Sequence, residues 1–375
     1  MVQARPVVLA AGGTGGHVFP AEALARELET RGVPFALITD SRGKQWQGAL
    51  AHQPIHYIHS ASPTAGSLHK RAMAVLSLGI GLVDAWWALG RIRPSAVVGF
   101  GGYASVPTMF AARLRRLPSM LHEQNAVVGK ANRLVLGGVE RVATSFQPTR
   151  GLENDRRARL VGNPVRDPVR ALRGSPYRAP GTDRVIDILI FAGSQGAASF
   201  SKVIPDAILS LPAPLRARLR VVQQCRREDI GHVRTMYKVG GIVAELAPFF
   251  PDMPQRLAAA HLVIARSGAS TVAELAVIGR PSILIPYPHH TDEHQVVNAR
   301  ALEAVGAAIL MQHAGFTAAA LAEKLTALFE EPQRLAAMAA AAHGAGRPDA
   351  AMRLADMVGE LIAAPQDAVI SGVAA

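Results

Sequence analysis

Along this chain, short unbroken apolar runs alternate with stretches in which apolar residues return every three or four positions, and the junctions are glycine-rich or polar. Continuous runs of this length predict strands buried on both faces of a sheet, and the periodic stretches predict the helices that cover it. Residues 7–11 open into Gly12, Gly13, Thr14, Gly15, Gly16 and His17, followed by a helical pattern over 21–29 and a second run at 35–39. Residues 187–192 repeat the theme, opening into Gly193, Ser194, Gln195 and Gly196 before a helical pattern over 199–210. Further strands fit 96–100, 119–122, 141–144, 218–223, 262–265 and 282–285. Such strand, loop, helix, strand units build parallel sheets with right-handed crossovers. Two openings half a chain apart predict an α/β protein of two doubly wound, Rossmann-like domains facing across a cleft.

Residues 163–183 are rich in proline, glycine and arginine and read as the linker. This divides the chain into an N-terminal domain over 1–162 and a C-terminal domain over 163–345. Pro348 opens a last helix, ending near 364, with enough loop before it to cross back onto the first domain.

One helical stretch, 73–89, is apolar nearly all round. Met73, Leu76, Ile80, Val83 and Trp87 form one stripe; Val75, Leu78, Leu82, Trp86 and Leu89 form another, so burying one leaves the other uncovered. Asp84, Gly79 and Gly81 argue against a membrane span. Lys70 and Arg71 before the stretch, with its tryptophans, fit a helix lying in a membrane surface, with Val75, Leu78, Leu82 and Trp86 as the contact. A helix covered on both sides by protein is the competing reading.

The length of 375 residues suits two domains, and hydrophobic content of 49% is ample for two cores. A formal charge of +12 favours an anionic partner. Nucleic acid is disfavoured, because the arginine clusters at 113–116 and 156–159 lack interleaved aromatics and no zinc-finger or basic-zipper pattern occurs. Cys225, the only cysteine, rules out an intrachain disulfide and reads as a structural thiol at a strand end. No secretory signal is visible in the first residues, which suits the cytoplasm.

The most informative motif follows the run 262–264: Ala265, Arg266, Ser267, Gly268, Ala269, Ser270, Thr271, Val272, Ala273 and Glu274. It reads as strand, glycine turn, helix, with hydroxyls and uncovered N–H groups where anions bind. Glu274, one turn further in, would repel a phosphate but accept from sugar hydroxyls, so a nucleotide sugar is the fitting guest. An ordinary capping sequence is the plainer alternative. The first glycine loop matches a dinucleotide fingerprint only in part, since Val18 holds the third glycine position and Pro20 follows closely. His17, at a strand mouth, is a candidate base, and His122, Glu123 and Asn125 concentrate a base, an acid and an amide within four residues. His289, His290, Asp292, Glu293 and His294 are too nearly consecutive to converge on one metal; Gln295 and Asn298 fit a polar ligand better.

Taken in order, residues 12–17, 99–105, 122–125, 162–166, 193–197, 266–274 and the Gln295/Asn298 region resemble the MurG family of bacterial glycosyltransferases. That family moves N-acetylglucosamine from UDP-N-acetylglucosamine (UDP-GlcNAc) to the muramyl sugar of lipid I, giving lipid II for peptidoglycan. The resemblance implies a glycosyltransferase of the B type, with the donor on the second domain and the acceptor on the first. Thr14, Gly15 and Gly16 would approach the diphosphate region, and Asn125 and Gln295 would hold the sugar. Arg166 and Ser194 would contact the nucleotide or its phosphates. The turn of Ala269, Ser270, Thr271, Val272 and Ala273 would carry the diphosphate, Glu274 would grip the ribose, and Phe250 would meet uracil through its main chain. Phe250 stands where relatives carry a smaller aliphatic residue, and His294 where some carry a second glutamine.

Inverting displacement needs a base, for which His17 is preferred and Glu123 is the rival. The implied partners are UDP-GlcNAc, undecaprenyl-linked lipid I, the anionic cytoplasmic face of the inner membrane and other cell-wall synthesis and division proteins. No bound cofactor or protein-ligated metal is expected, although a divalent cation would assist. The alternatives are a related transferase with another lipid or a soluble acceptor, a non-hydrolysing sugar epimerase, and a noncatalytic nucleotide-sugar binder.

Overall fold

A computed structural model describes residues 5–12, 15–41, 43, 53–61, 68–181, 184–193, 197–288 and 293–364, with the backbone alone at 68, 70 and 71. The chain divides into two compact units, one made of Met1–Arg166 with Asp349–Ala375 and the other of Asp167–Pro348.

The first unit runs β1 (Val7–Ala10), α1 (Gly15–Thr30), β2 (Phe35–Thr39), β3 (Ile55–Tyr57), α2 (Leu68–Ile92), β4 (Ala96–Gly99), α3 (Ser105–Leu114), β5 (Ser119–Glu123), α4 (Lys130–Val135), β6 (Arg141–Thr144) and β7 (Ala158–Leu160). Its strands form a parallel sheet in the order β3-β2-β1-β4-β5-β6-β7. β1, β2, β4 and β5 are buried along their whole length, as unbroken apolar runs require when helices cover both faces. The strand order reverses between β1 and β4, so the loops leaving these two strands diverge to opposite faces and open a crevice. Residues 11–12 leave β1 and residues 100–104 leave β4 there.

The second unit continues with α5 (Asp167–Ala171), β8 (Ile186–Phe191), α6 (Ala198–Leu209), α7 (Ala213–Arg216), β9 (Leu219–Gln224), α8 (Ile230–Val239), β10 (Val243–Ala247), α9 (Met253–Ala259), β11 (Leu262–Ala265), α10 (Ala269–Ile278), β12 (Ser282–Leu284), α11 (His294–Ala304), β13 (Ala308–Leu310), α12 (Ala318–Glu330) and α13 (Pro332–Ala345). Its parallel sheet has the order β10-β9-β8-β11-β12-β13, reversing between β8 and β11. The exit of β11 is residues 266–268. Cys225 is buried just past β9, where burial pushes its thiol up to about 11. It is therefore a packing residue at neutral pH.

The last helix, α14 (Ala350–Ala363), belongs to the first unit. Leu354, Met357, Val358 and Leu361 share one core cluster with Leu9, Leu24, Val98 and Met120. At its rim, Glu360 accepts from Arg159 through both oxygens at 2.8 and 2.7 Å, and from Arg141 at 3.0 Å.

On α2 the packing selects a stripe. Ala74, Gly81, Ala85 and Leu89 face inward, and a side chain at Gly81 would collide with the carbonyl of His59. Leu82 packs partly against the same core and Leu78 is half-buried, so these two are not an outward face. Met73, Leu76, Ile80, Val83 and Trp87 are exposed instead, joined by Val75 and, at its margin, Trp86 beneath the Arg115 guanidinium at 4.1 Å. The outward stripe is thus centred on the first of the two read from the sequence. Residues Ala72–Ile92 are long and apolar enough to cross a bilayer by length and composition.

Candidate functional site

Each unit carries polar chemistry at its own switch point. In the first, α1 begins at Gly15, and His17 stands in its opening turn. Its imidazole lies against the loop after β4, where Gly101 and Gly102 have φ of +82° and +73°. A Cβ on Gly102 would sit 3.2 Å from His17 Cδ2, and one on Gly101 would sit 3.3 Å from Cε1. Left-handed backbone and close approach together require glycine here, which explains the repeated glycines between Phe100 and Tyr103.

β5 delivers the other half. Glu123 is fully buried at its end and accepts four N–H bonds: Asn125 N at 3.0 Å, Asn125 Nδ2 at 3.3 Å, Gly129 N at 3.0 Å and Asn132 Nδ2 at 2.7 Å. Burial raises the carboxyl above its ordinary range, against the downward pull of these donors. Both oxygens are engaged in folding the 124–132 loop, so Glu123 shapes the site and Asn125 is held through it. His122 is fully buried and tilted against Phe100 at 5.8 Å. Burial lowers it to about 4, so it is neutral at pH 7. Its Nε2 lies 3.1 Å from the Gly162 carbonyl, and its Nδ1 lies 3.1 Å from Gln124 Nε2. Gln124, not singled out in the sequence, faces His17 Nδ1 with its carbonyl oxygen at 3.3 Å.

Gly15 and Gly16 are exposed at the start of α1; Thr14 lies outside the described residues. Arg166 holds its guanidinium 5.0 Å from the Phe19 ring in the same unit.

In the second unit, α10 starts at the β11 exit with Gly268 as N-cap, extended and with no side-chain cap. The first amides of a helix have no acceptor within it, so Ala269, Ser270 and Thr271 present N–H groups at this point. Ser270 Oγ is buried with no hydrogen-bond partner in the protein. Val272 is buried, Ala273 is half-buried, and Glu274 is buried one turn inside. Ser267 Oγ donates to the Gln295 carbonyl at 2.7 Å, and Asn298 Nδ2 to the Ser267 carbonyl at 3.2 Å, so α11 braces the turn. The Gln295 side chain accepts from Tyr287 N at 2.9 Å. Phe250 is buried under the Arg256 guanidinium at 4.3 Å. Ser194, with His289, His290 and Asp292, lies outside the described residues.

Arg266, part of the sequence motif but given no role there, is explained by its contacts. It is buried, donates to the carbonyls of Ile285 and Pro286 at 3.0 and 2.7 Å and to Ser199 Oγ at 3.0 Å, and stacks on Phe200 and Tyr287. It ties the exits of β11 and β12 to the first turn of α6. An arginine wedged between a buried strand and a glycine turn was the available signal.

Residues 7–144 match the glycosyltransferase family 28 N-terminal domain and residues 187–354 the family 28 C-terminal domain. The chain is 54% identical over 355 residues to a UDP-N-acetylglucosamine–N-acetylmuramyl-(pentapeptide) pyrophosphoryl-undecaprenol N-acetylglucosamine transferase of Rhodospirillum centenum, covering 94% of this chain and 93% of that one. It is 52% identical to the protein of the same name from Paramagnetospirillum magneticum, covering 95% and 96%. Among solved structures, MurG of Acinetobacter baumannii superposes with a TM-score of 0.78 at 27% identity, over 95% of this chain and 99% of that one.

Proposed function

The chain belongs to the MurG family of glycosyltransferases, and from that premise we infer which of its residues do the work. It transfers N-acetylglucosamine from UDP-GlcNAc to the C4 hydroxyl of the muramyl sugar in lipid I, giving lipid II for peptidoglycan with inversion at the anomeric carbon. The acceptor oxygen bonds to the anomeric carbon as the bond from that carbon to the β-phosphate oxygen breaks, and the electron pair leaves with UDP. The hydroxyl proton goes to a base.

His17 is that base, because it stands at the mouth of the first crevice and is held by a loop that only glycine can form. Glu123, engaged by four N–H donors, shapes the acceptor loop and orients Asn125 toward the sugar. The uncapped start of α10 carries the donor reading: its amides stabilise the departing diphosphate, and Glu274 accepts from the ribose hydroxyls. Arg266 supports this turn from behind. By the family resemblance, Asn125 and Gln295 hold the sugar, Arg166 and Ser194 contact the nucleotide or its phosphates, Thr14, Gly15 and Gly16 approach the diphosphate region, and Phe250 meets uracil. No step is assigned to a protein-ligated metal; a divalent ion travelling with the diphosphate would add to the same field.

A lipid-linked acceptor requires work at a membrane. We assign the exposed α2 stripe and the arginines around it to peripheral attachment on the anionic cytoplasmic face. Labelled UDP-GlcNAc with lipid I, followed through His17→Ala and Glu274→Ala, tests the assignment: turnover is lost in the first and donor affinity in the second. Full turnover of His17→Ala at saturating substrates removes it as the base.

A further inference from the structure

We propose that Gln124 is a positioning residue that fixes the tautomer of His17, its amide carbonyl accepting from Nδ1–H so that the lone pair stands on Nε2. The inference rests on His17 as the base and adds how that base is made ready.

The orientation of the Gln124 amide follows from its surroundings. Its nitrogen lies 2.9 Å from the Phe100 carbonyl and 3.0 Å from the His122 carbonyl, and both are acceptors only. The NH2 group must therefore face them, which turns Oε1 toward His17. An amide oxygen is itself only an acceptor, so the His17 nitrogen opposite it carries the proton. A neutral imidazole protonated on Nδ1 has its basic lone pair on Nε2, the nitrogen that a Cβ on Gly102 would approach to 3.4 Å.

His122 completes the set. Neutral because it is buried, it donates Nε2–H to the Gly162 carbonyl, which leaves an unprotonated Nδ1 3.1 Å from the Gln124 nitrogen, sharing its two hydrogens with the two carbonyls. The main-chain carbonyls of Phe100 and His122 thus determine one proton position on His17 through Gln124, and the His122 tautomer set by Gly162 is compatible with it. Each link is buried except the last, and Gln124 itself is almost fully enclosed. Gln124 orients the imidazole through an uncharged acceptor, so it adds no charge of its own beside the ring. When the acceptor proton moves to Nε2, the resulting imidazolium keeps Nδ1–H on the amide oxygen, and no group has to rotate.

The test uses the full-length enzyme with lipid I and UDP-GlcNAc, in wild type, Gln124→Leu, Gln124→Glu and His17→Ala. ¹⁵N-histidine spectra, with the His17 resonances identified by their absence in His17→Ala, report which ring nitrogen is protonated. Wild type should show His17 protonated on Nδ1. Gln124→Leu should lose that preference and reduce kcat by about 10- to 100-fold, with the KM for UDP-GlcNAc unchanged within about twofold because the donor machinery is elsewhere. Gln124→Glu should move the acid limb of kcat to higher pH, as a carboxylate stabilises the imidazolium. His17 protonated on Nε2 in wild type, or a folded Gln124→Leu with full kcat, overturns the proposal. Should neither Gln124 variant fold, the wild-type spectrum decides alone. Loss of activity in His17→Ala with none in Gln124→Leu rejects the positioning role only, whereas full activity in His17→Ala rejects the base reading beneath it.

Discussion

Asn132 Nδ2 donates to Glu123 Oε2 at 2.7 Å, the shortest of the four N–H contacts on that buried carboxylate. A glutamine at 123 would point its NH2 at N–H groups that need an acceptor. Glu123→Gln should therefore destabilise the first unit by about 1 to 3 kcal/mol and lower kcat through loss of the loop. Differential scanning calorimetry beside kinetics separates this from a purely chemical defect, which would leave the melting temperature unchanged.

Gly102 confines the His17 ring through its backbone, at φ of +73°. Gly102→Ala adds a Cβ 3.2 Å from Cδ2 and asks an L-residue to adopt a left-handed conformation. The expected result is a kcat lower by on the order of 10- to 100-fold, since small displacements of a reacting group are costly. UDP-GlcNAc affinity, measured by calorimetric titration, should be unaffected.

Glu274 is buried inside α10, and we assign its carboxylate to the ribose hydroxyls of the donor. Losing a hydrogen bond to a charged group costs about 1.5 to 3 kcal/mol, so Glu274→Ala should raise the KM for UDP-GlcNAc by roughly 10- to 100-fold. A KM within twofold of wild type would remove Glu274 from the donor site.

His122 titrates at about 4 in the fold, against 6.5 as its ordinary value, because burial penalises the cation. The unfolded chain binds more protons between those limits, so stability due to His122 is complete above pH 6.5 and is lost as pH falls toward 4. The full span is worth roughly 3 kcal/mol. Urea unfolding of wild type and His122→Gln across this window should show a shallower pH dependence in the variant.

The outward stripe of α2 makes a prediction with its own control. Trp87 is 66% exposed and Ile80 43%, whereas Leu89 is 1% exposed. Ile80→Ser with Trp87→Ser should weaken sedimentation with anionic vesicles by about tenfold or more, leaving the melting temperature unchanged. Leu89→Ser should instead lower the melting temperature.

The central strands were readable because burial on both faces forces an unbroken apolar run, as in Val7–Ala10 and Leu262–Ala265. The outer strands Ile55–Tyr57, Ala158–Leu160 and Val243–Ala247 escaped the reading. Each is largely half-exposed or exposed and mixes polar residues, which resembles a loop. Periodicity likewise found two stripes on α2 but not which one faces inward. That choice was made by the approach of the His59 carbonyl to Gly81, a contact between separate elements. The glycine turns and Glu274 could be singled out because their chemistry is local. Gln124 could not, since its meaning comes from a histidine 107 positions away.

Because α14 completes the core of a unit whose strands all precede residue 161, the ribosome delivers the cover last. Until the whole second unit has been synthesised, the first sheet lacks the greasy cover that Leu354, Met357, Val358 and Leu361 bring to it. A chain truncated before α14 therefore lacks part of the first unit's core although every strand of that unit's sheet has been made.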